Sequence, residues 1–222
     1  MKTPDFLAEL DVRAIVRILA DTASISDPAE QRRFVMQSLS TLVDADTWVW
    51  GVSPLLEPGQ QPVYLYQHTH GLDDARMSRF LRAVEHPDTG AMTAPLAVAM
   101  LQAGSRVTRD RSRIVAPERF AISPARPFWE AADIGPLLIS IGPVPGVGTS
   151  VAGFYRHVGA PEFTLRETRI MHIVLTELPW LHSAGLPHAA AAPAVLLSPR
   201  QRLVINHLVQ GQSRQSTATH LG

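Results

Sequence analysis

Several groups of side chains in this sequence have types and spacings that could do chemistry. Trp48 and Trp50 alternate along one apolar stretch and Tyr64 and Tyr66 along the next, so each pair shares one face of an extended strand. With Trp129, from the proline-rich segment Ser123–Trp129, they form the candidate ligand-binding set. Rings around a sheet face can enclose a small molecule and leave a few polar handles; they would equally serve as plain core beneath flanking helices. His68 and His70 put two imidazoles on one strand face, but no third ligand stands at a diagnostic spacing, and no metal site is expected. Arg106, Arg109, Arg111 and Arg113 could meet phosphate. Asp110 interrupts that run, and Val107, Ile114 and Val115 mark it as a half-buried strand or a short helix, so a solvated face or a dimer contact is expected there.

Enzymatic readings find little support. Gly146-Val147-Gly148 is short and flanked by prolines, which suits a hairpin turn and not a nucleotide loop. Neither a Gly-x-Ser-x-Gly elbow nor a His-Glu-x-x-His helix occurs, so no catalytic residue and no cofactor are expected. With Cys 0, disulfides, iron–sulfur clusters and thiol catalysis are excluded.

Composition sets the remaining bounds. Across 222 residues, hydrophobic content of 45% and charged content of 18% describe a chain that can build a core. Lys+Arg 20 against Asp+Glu 20 carries no global nucleic-acid signature. No apolar run is long enough to span a bilayer, and the N-terminus lacks the apolar region of a signal peptide, so a cytoplasmic protein without membrane contact is expected.

The elements that must position these residues read as mixed α and β. Helices are expected over Asp5–Ala20, Pro28–Val43, Asp73–Val84 and Ala94–Gln102, the last closed by Gly104. Strands are expected over Thr47–Val52 and Val63–His68, separated by the loop Pro54–Pro62, and over Leu137–Ile141 and Ser150–His157, which form a hairpin. Thr164 with Glu167 is a capping box that opens a long helix running to His182. Helices flanking a largely antiparallel sheet define an α+β sensor-type fold over residues 1–184. Residues 185–196, rich in alanine and proline and uncharged, read as an interdomain linker.

The tail, residues 197–222, has its own grammar. Ser198 caps a helix with Pro199 at its first position and Gln201 at its third; Val204, Ile205, Leu208 and Val209 form one apolar stripe; Gly211 closes it. Ser213 opens a second helix carrying Ala218 and Leu221. Two short helices joined by a tight turn are the geometry of a helix-turn-helix. Leu-Ser-Pro-Arg-Gln-Arg, then Gly-Gln-Ser-Arg, then Ala-x-x-Leu-Gly resembles the DNA-binding domain of LuxR-type transcriptional regulators, with Gln215 and Thr217 where that family usually has a basic and a large aliphatic residue. The resemblance implies DNA contact by Arg200, Arg202, Arg214 and Gln215, and a homodimer on paired half-sites.

The match stops before a recognition helix, so the sequence as given is expected to be a partial, all-α helix-turn-helix. Three arginines would neutralise about three phosphates, a salt slope of roughly −2.7, too little for site-specific binding. DNA is therefore a partner only where that domain is complete. Residues Asp5–His182 in turn resemble the GAF-like sensory domains joined to such effectors, on the paired strands, Gly153-Phe154-Tyr155-Arg156, Phe163-Thr164-x-Arg166-Glu167 and the closing helix. A PAS-like sheet has the same outline. The Trp-Tyr-Asp pattern of acyl-homoserine-lactone receptors is absent, so the resemblance implies a small-molecule signal of unspecified kind. Two other functions fit the same residues: a sensor or dimerisation module without DNA binding, and a small-molecule enzyme on a sensor fold.

Overall fold

Local side-chain chemistry starts the helices. In the computed structural model, which describes residues 7–53, 66–186, Val204 and Gln215, helix α1 spans Glu9–Thr22 and α2 spans Pro28–Leu42. Asp27 accepts the Glu30 amide and Pro28 takes the first position of α2, where no N–H is needed. Strands β1 (Thr47–Ser53) and β2 (Tyr66–His70) follow, then α3 (Asp74–Glu85), capped by Asp73, and α4 (Pro87–Ala103). Next come β3 (Val107–Asp110), α5 (Arg111–Ile114), α6 (Pro117–Ala121) and α7 (Arg126–Ala131). The hairpin β4 (Leu137–Val144) and β5 (Gly148–Tyr155) leads to α8 (Leu165–Glu177) and α9 (Pro179–Ser183).

The strands form a single antiparallel sheet of five among the described residues, in the order β2-β1-β5-β4-β3. Every residue of β1 is buried, because helices cover both faces. One face, packed by α1, α2, α8 and α9, carries Trp48, Trp50, Val52, Leu138, Ala152 and Phe154. The other, packed by α3, α4 and α7, carries Val49, Leu137, Tyr155, Ile139, Val151 and Ile141. The α+β expectation, an antiparallel sheet flanked by helices, describes this architecture.

Arg156 ties the end of β5 to the start of α8. It donates to the carbonyls of Val43 (2.7 Å), Asp44 (2.8 Å) and Pro161 (2.8 Å), pairs with Glu167 (2.7 Å) and lies 4.2 Å over the Phe163 ring. Glu167 also completes the Thr164 capping box. The two motif pieces noted in the sequence, around Gly153 and around Thr164, are thus joined by one buried guanidinium.

Several boundaries differ from those read in the sequence, each for a local reason. Helix α4 begins at Pro87, not Ala94: the His86 ring accepts the Asp88 amide and Pro87 fits the first turn, while Pro95 lies inside the helix. The expected long helix from Thr164 to His182 is two helices. Leu178, preceding Pro179, leaves the helical region (φ −114°, ψ 68°), because a proline ring disfavours α conformation in the residue before it. The Arg106–Arg113 stretch is both a strand and a short helix, with Asp110 capping α5 through the Arg113 amide. The second strand runs on to His70; Val63–Leu65, its expected start, lie outside the described residues. So do most of the 185–196 linker and of the 197–222 domain, apart from Gly185, Leu186 and the helical residues Val204 and Gln215.

Candidate functional site

The five aromatic residues proposed from the sequence do not share one site. Trp48 and Trp50 do share a face, as their alternation requires, and β2 register puts Tyr66 beside them, opposite Val52. Both tryptophans are core, at 2% and 0% exposure. Trp48 Nε1 donates to Gln37 Oε1 (3.0 Å) and Trp50 Nε1 to His182 Nδ1 (3.3 Å). Trp129 packs on the opposite face, because the segment that follows β3 crosses the sheet on the side of α3 and α4. Tyr64 lies outside the described residues, as do Arg200, Arg202 and Arg214; Gln215 is helical and exposed.

Across strands His70 stacks on Trp48 and His68 lies tilted on Trp50, with ring centroids 6.1 Å and 5.7 Å apart. Burial, with Arg32 nearby, pushes His68 down to about 4. Among the described residues no group of three or more His, Asp or Glu side chains could hold a metal. The arginine run is not a uniformly solvated face. Arg106 is buried beneath α8, and Arg111 is half-buried over the Phe120 ring (4.2 Å), while Arg113 is exposed.

On the Trp48 face the polar groups close on one another. Tryptophan N–H can only donate and a carbonyl can only accept, so His182 takes the Trp50 N–H and the Ser150 hydroxyl (2.6 Å) at Nδ1 and donates from Nε2 to Leu175 O (2.8 Å). That fixes one neutral tautomer. Burial, with Arg106 and Arg32 nearby, pushes His182 down to about 3. Arg32 lies 4.0 Å over the Trp50 ring and donates to Leu181 O and Ala184 O (both 2.7 Å), satisfying the end of α9.

The opposite face is built differently. Phe80, Trp129 and Tyr155 form an aromatic trio with centroids 5.5 to 6.4 Å apart. Met77 and Met92 pack with it from α3 and α4, and Leu96 and Met100 of α4 form a neighbouring cluster with Ile141. Methionine fills irregular space and adapts to other shapes. Trp129 Nε1 donates to Thr89 Oγ1 (3.2 Å), whose own hydroxyl is anchored on Ala83 O (2.7 Å). Tyr155 folds back over Gly153, where a side chain of any size would collide with the phenol.

Among the described residues four buried polar atoms lack a hydrogen-bond partner: Ser53 Oγ, Gln67 Nε2, Arg79 Nε and Arg111 Nε. All belong to this side. Ser53 and Gln67 share the parity of Val49, Gln67 opposite Gly51 and Ser53 opposite Thr149, while Arg79 is on α3 and Arg111 lies over the Phe120 ring. Native structures leave few such atoms, and each calls for a cause. The sequence reading put its candidate rings Trp48 and Trp50 on one parity of β1; these unpartnered atoms lie on the other. The usable signal was the adjacency of Phe154 and Tyr155: consecutive rings on one strand must face opposite sides, so a second aromatic face had to exist.

No family model and no curated protein matches the sequence. Among solved structures the fold is similar to that of the VqsR ligand-binding domain from Pseudomonas aeruginosa, at TM-score 0.50 and 12% identity, over 79% of this chain and 97% of that one. Escherichia coli SdiA aligns at TM-score 0.43 and 13% identity, over 95% of this chain and 83% of that one. SdiA in complex with octanoyl-rac-glycerol aligns at TM-score 0.49 and 12% identity, over 100% and 84%. At these identities the likeness is one of fold. Among the described residues no helix is long and apolar enough to cross a membrane.

Proposed function

We propose that this chain is the signal-sensing part of a LuxR-type transcriptional regulator, and that its signal is a small molecule held on the sheet face beneath α3, α4 and α7. The observation that carries this reading is the coincidence of the aromatic and methionine surface with the unpartnered polar atoms of Ser53, Gln67, Arg79 and Arg111. An unpaired buried donor costs about 1–3 kcal/mol. A ligand with an apolar body and one or two acceptor groups would satisfy such donors and cover the rings at once. The fold likeness to the VqsR domain and the LuxR-type grammar of Leu197–Gly222 support the same reading.

In it, Trp129 is the ligand-binding member of the aromatic set, while Trp48, Trp50 and Tyr66 are scaffold. Helices α8 and α9 carry the response from the sheet towards residues 185–196 and the DNA-binding segment. The GAF-like grouping, a cytoplasmic location and a homodimer belong to the reading. Exposed Leu10 and Val16 on α1, at 78% and 57%, offer apolar surface for a second copy. Arg200, Arg202, Arg214 and Gln215 contact DNA backbone, and sequence readout needs a recognition helix beyond them.

Octanamide, with an apolar chain and an amide head, is a suitable probe. It is expected to raise the melting temperature and quench tryptophan fluorescence saturably. Ser53→Ala and Gln67→Leu should stabilise the free protein, by removing unpaired polar atoms, and weaken octanamide roughly 3–10-fold each, the equivalent of one hydrogen bond. No saturable response from octanamide, or binding that both variants leave unchanged, would sink the assignment. In a gel-shift assay at moderate salt the 222 residues should show no sequence preference; nanomolar, site-selective binding would overturn the account of the tail.

A further inference from the structure

The face of the sheet opposite the proposed signal site holds a buried charge, Arg106, that no carboxylate among the described residues neutralises. Arg106 stands just before β3, at the sheet edge, opposite Gly142 in the continued β3–β4 register. It is 8% exposed. Gly142 makes room for it: a Cβ there would lie 2.9 Å from Arg106 Cβ and 3.0 Å from its Nε. Its one hydrogen bond to the described residues runs from Nη1 to Ser140 Oγ (3.3 Å). No carboxylate among those residues pairs with it, and burial alone pushes it down to about 10, which leaves it charged at neutral pH.

The other buried arginines of this face are not in that state. Arg32 has two carbonyls and a tryptophan ring, and Arg156 has a set of carbonyls, Glu167 and a phenylalanine ring. Around Arg106 the polar groups are hydroxyls and imidazoles. Thr108 donates to Ser140 (2.9 Å) and lies 3.2 Å from His172 Nδ1 on α8, and the Arg106 charge reaches His182. A buried unpaired cation costs several kcal/mol, so a fold that shapes a glycine cradle for one has a counter-charge to receive.

We propose that Arg106 binds the carboxylate of a small organic acid between the β3–β4 edge and α8. Among the described residues only Nη1 of the Arg106 fork makes a hydrogen bond, which leaves Nε and Nη2 to grip two carboxylate oxygens in parallel. Ser140, Thr108 and His172 supply further polar contacts to the head group. Because His172 belongs to α8, occupancy would bear directly on the helix that leads towards residues 185–196. This site is separate from the apolar signal site across the sheet and does not rest on it.

The test uses the whole chain in acetate, phosphate or chloride at matched ionic strength. Acetate is expected to raise the melting temperature saturably and to shift the Arg106 Nε–H resonance, and Arg106→Met should abolish the melting effect while being at least as stable as wild type in chloride. Arg106→Lys, which keeps the charge and loses the fork, should weaken acetate at least 10-fold. An Arg106 Nε–H resonance that acetate leaves in place would refute the site, even should Arg106→Met not fold. So would an equal acetate effect in Arg106→Met. Phosphate acting where acetate does not would overturn the carboxylate assignment. Glu57 is the only acid in residues 54–65. If Glu57→Gln lowers the melting temperature and abolishes the effect of Arg106→Met, the counter-charge is internal and the proposal fails.

Discussion

The two faces of one sheet are built to different rules. Strand β5 supplies Phe154 to one and Tyr155 to the other, and β1 supplies Trp50 to one and Val49 to the other. Beneath α2, α8 and α9, indoles, the His182 ring, Ser150, Arg32 and Arg156 are closed into hydrogen bonds, with Arg106 the exception. Beneath α3, α4 and α7, rings and methionines meet polar atoms left without partners. A closed polar network fixes one packing; an adaptable apolar surface with unmet donors leaves interactions for something else to make. In the proposed function the first face is the scaffold and the second the receptor, although the same strands make both.

The largest test of that contrast is Arg156→Met. It strands Glu167 and several carbonyls at the end of the sheet, and should cost about 3–5 kcal/mol in urea unfolding. A loss below about 1 kcal/mol would remove the claim that this face carries the stability. Gly153→Ala should cost about 1–3 kcal/mol and change the near-ultraviolet circular dichroism, because the Tyr155 phenol occupies the space of the new methyl group. An unchanged spectrum would show that the trio is looser than described.

Acid sharpens the comparison further. His182 and His68, held at about 3 and about 4, stay neutral in the folded chain while the unfolded chain protonates them below about 6.5. Their contribution is complete above pH 6.5 and shrinks as pH falls towards the folded values. His182 should give a loss of about 1.4 kcal/mol per pH unit between pH 6 and 5, with a smaller share from the less buried His68. Ring resonances of His182 that titrate near pH 6.5 would disprove this. The smallest effect belongs to the Trp129 face: Trp129→Phe removes one hydrogen bond to Thr89 and should cost about 0.5–1.5 kcal/mol while altering octanamide affinity. A loss like that of Arg156→Met would erase the distinction between the faces.

Much of this was legible in the residues themselves. Asp27-Pro28, Asp73 and the Thr164/Glu167 box announce their helices, because a cap is a contact between near neighbours in the chain. The alternation of Trp48 with Trp50 placed both on one face, since a strand's period is two. The hairpin around Gly146 and the α+β class followed from the same local signals.

What folding decided is which helices cover which parity of the strands, and that depends on contacts between residues far apart in the chain. Trp129 went to the face opposite Trp50, Arg156 reached back to Val43, and the ring of His182 closed over Trp50. No spacing in the sequence encodes such pairings. They exist because a buried donor must find an acceptor wherever the packed layers bring one, and because a one-residue step along a strand sends a side chain to the other side of the sheet.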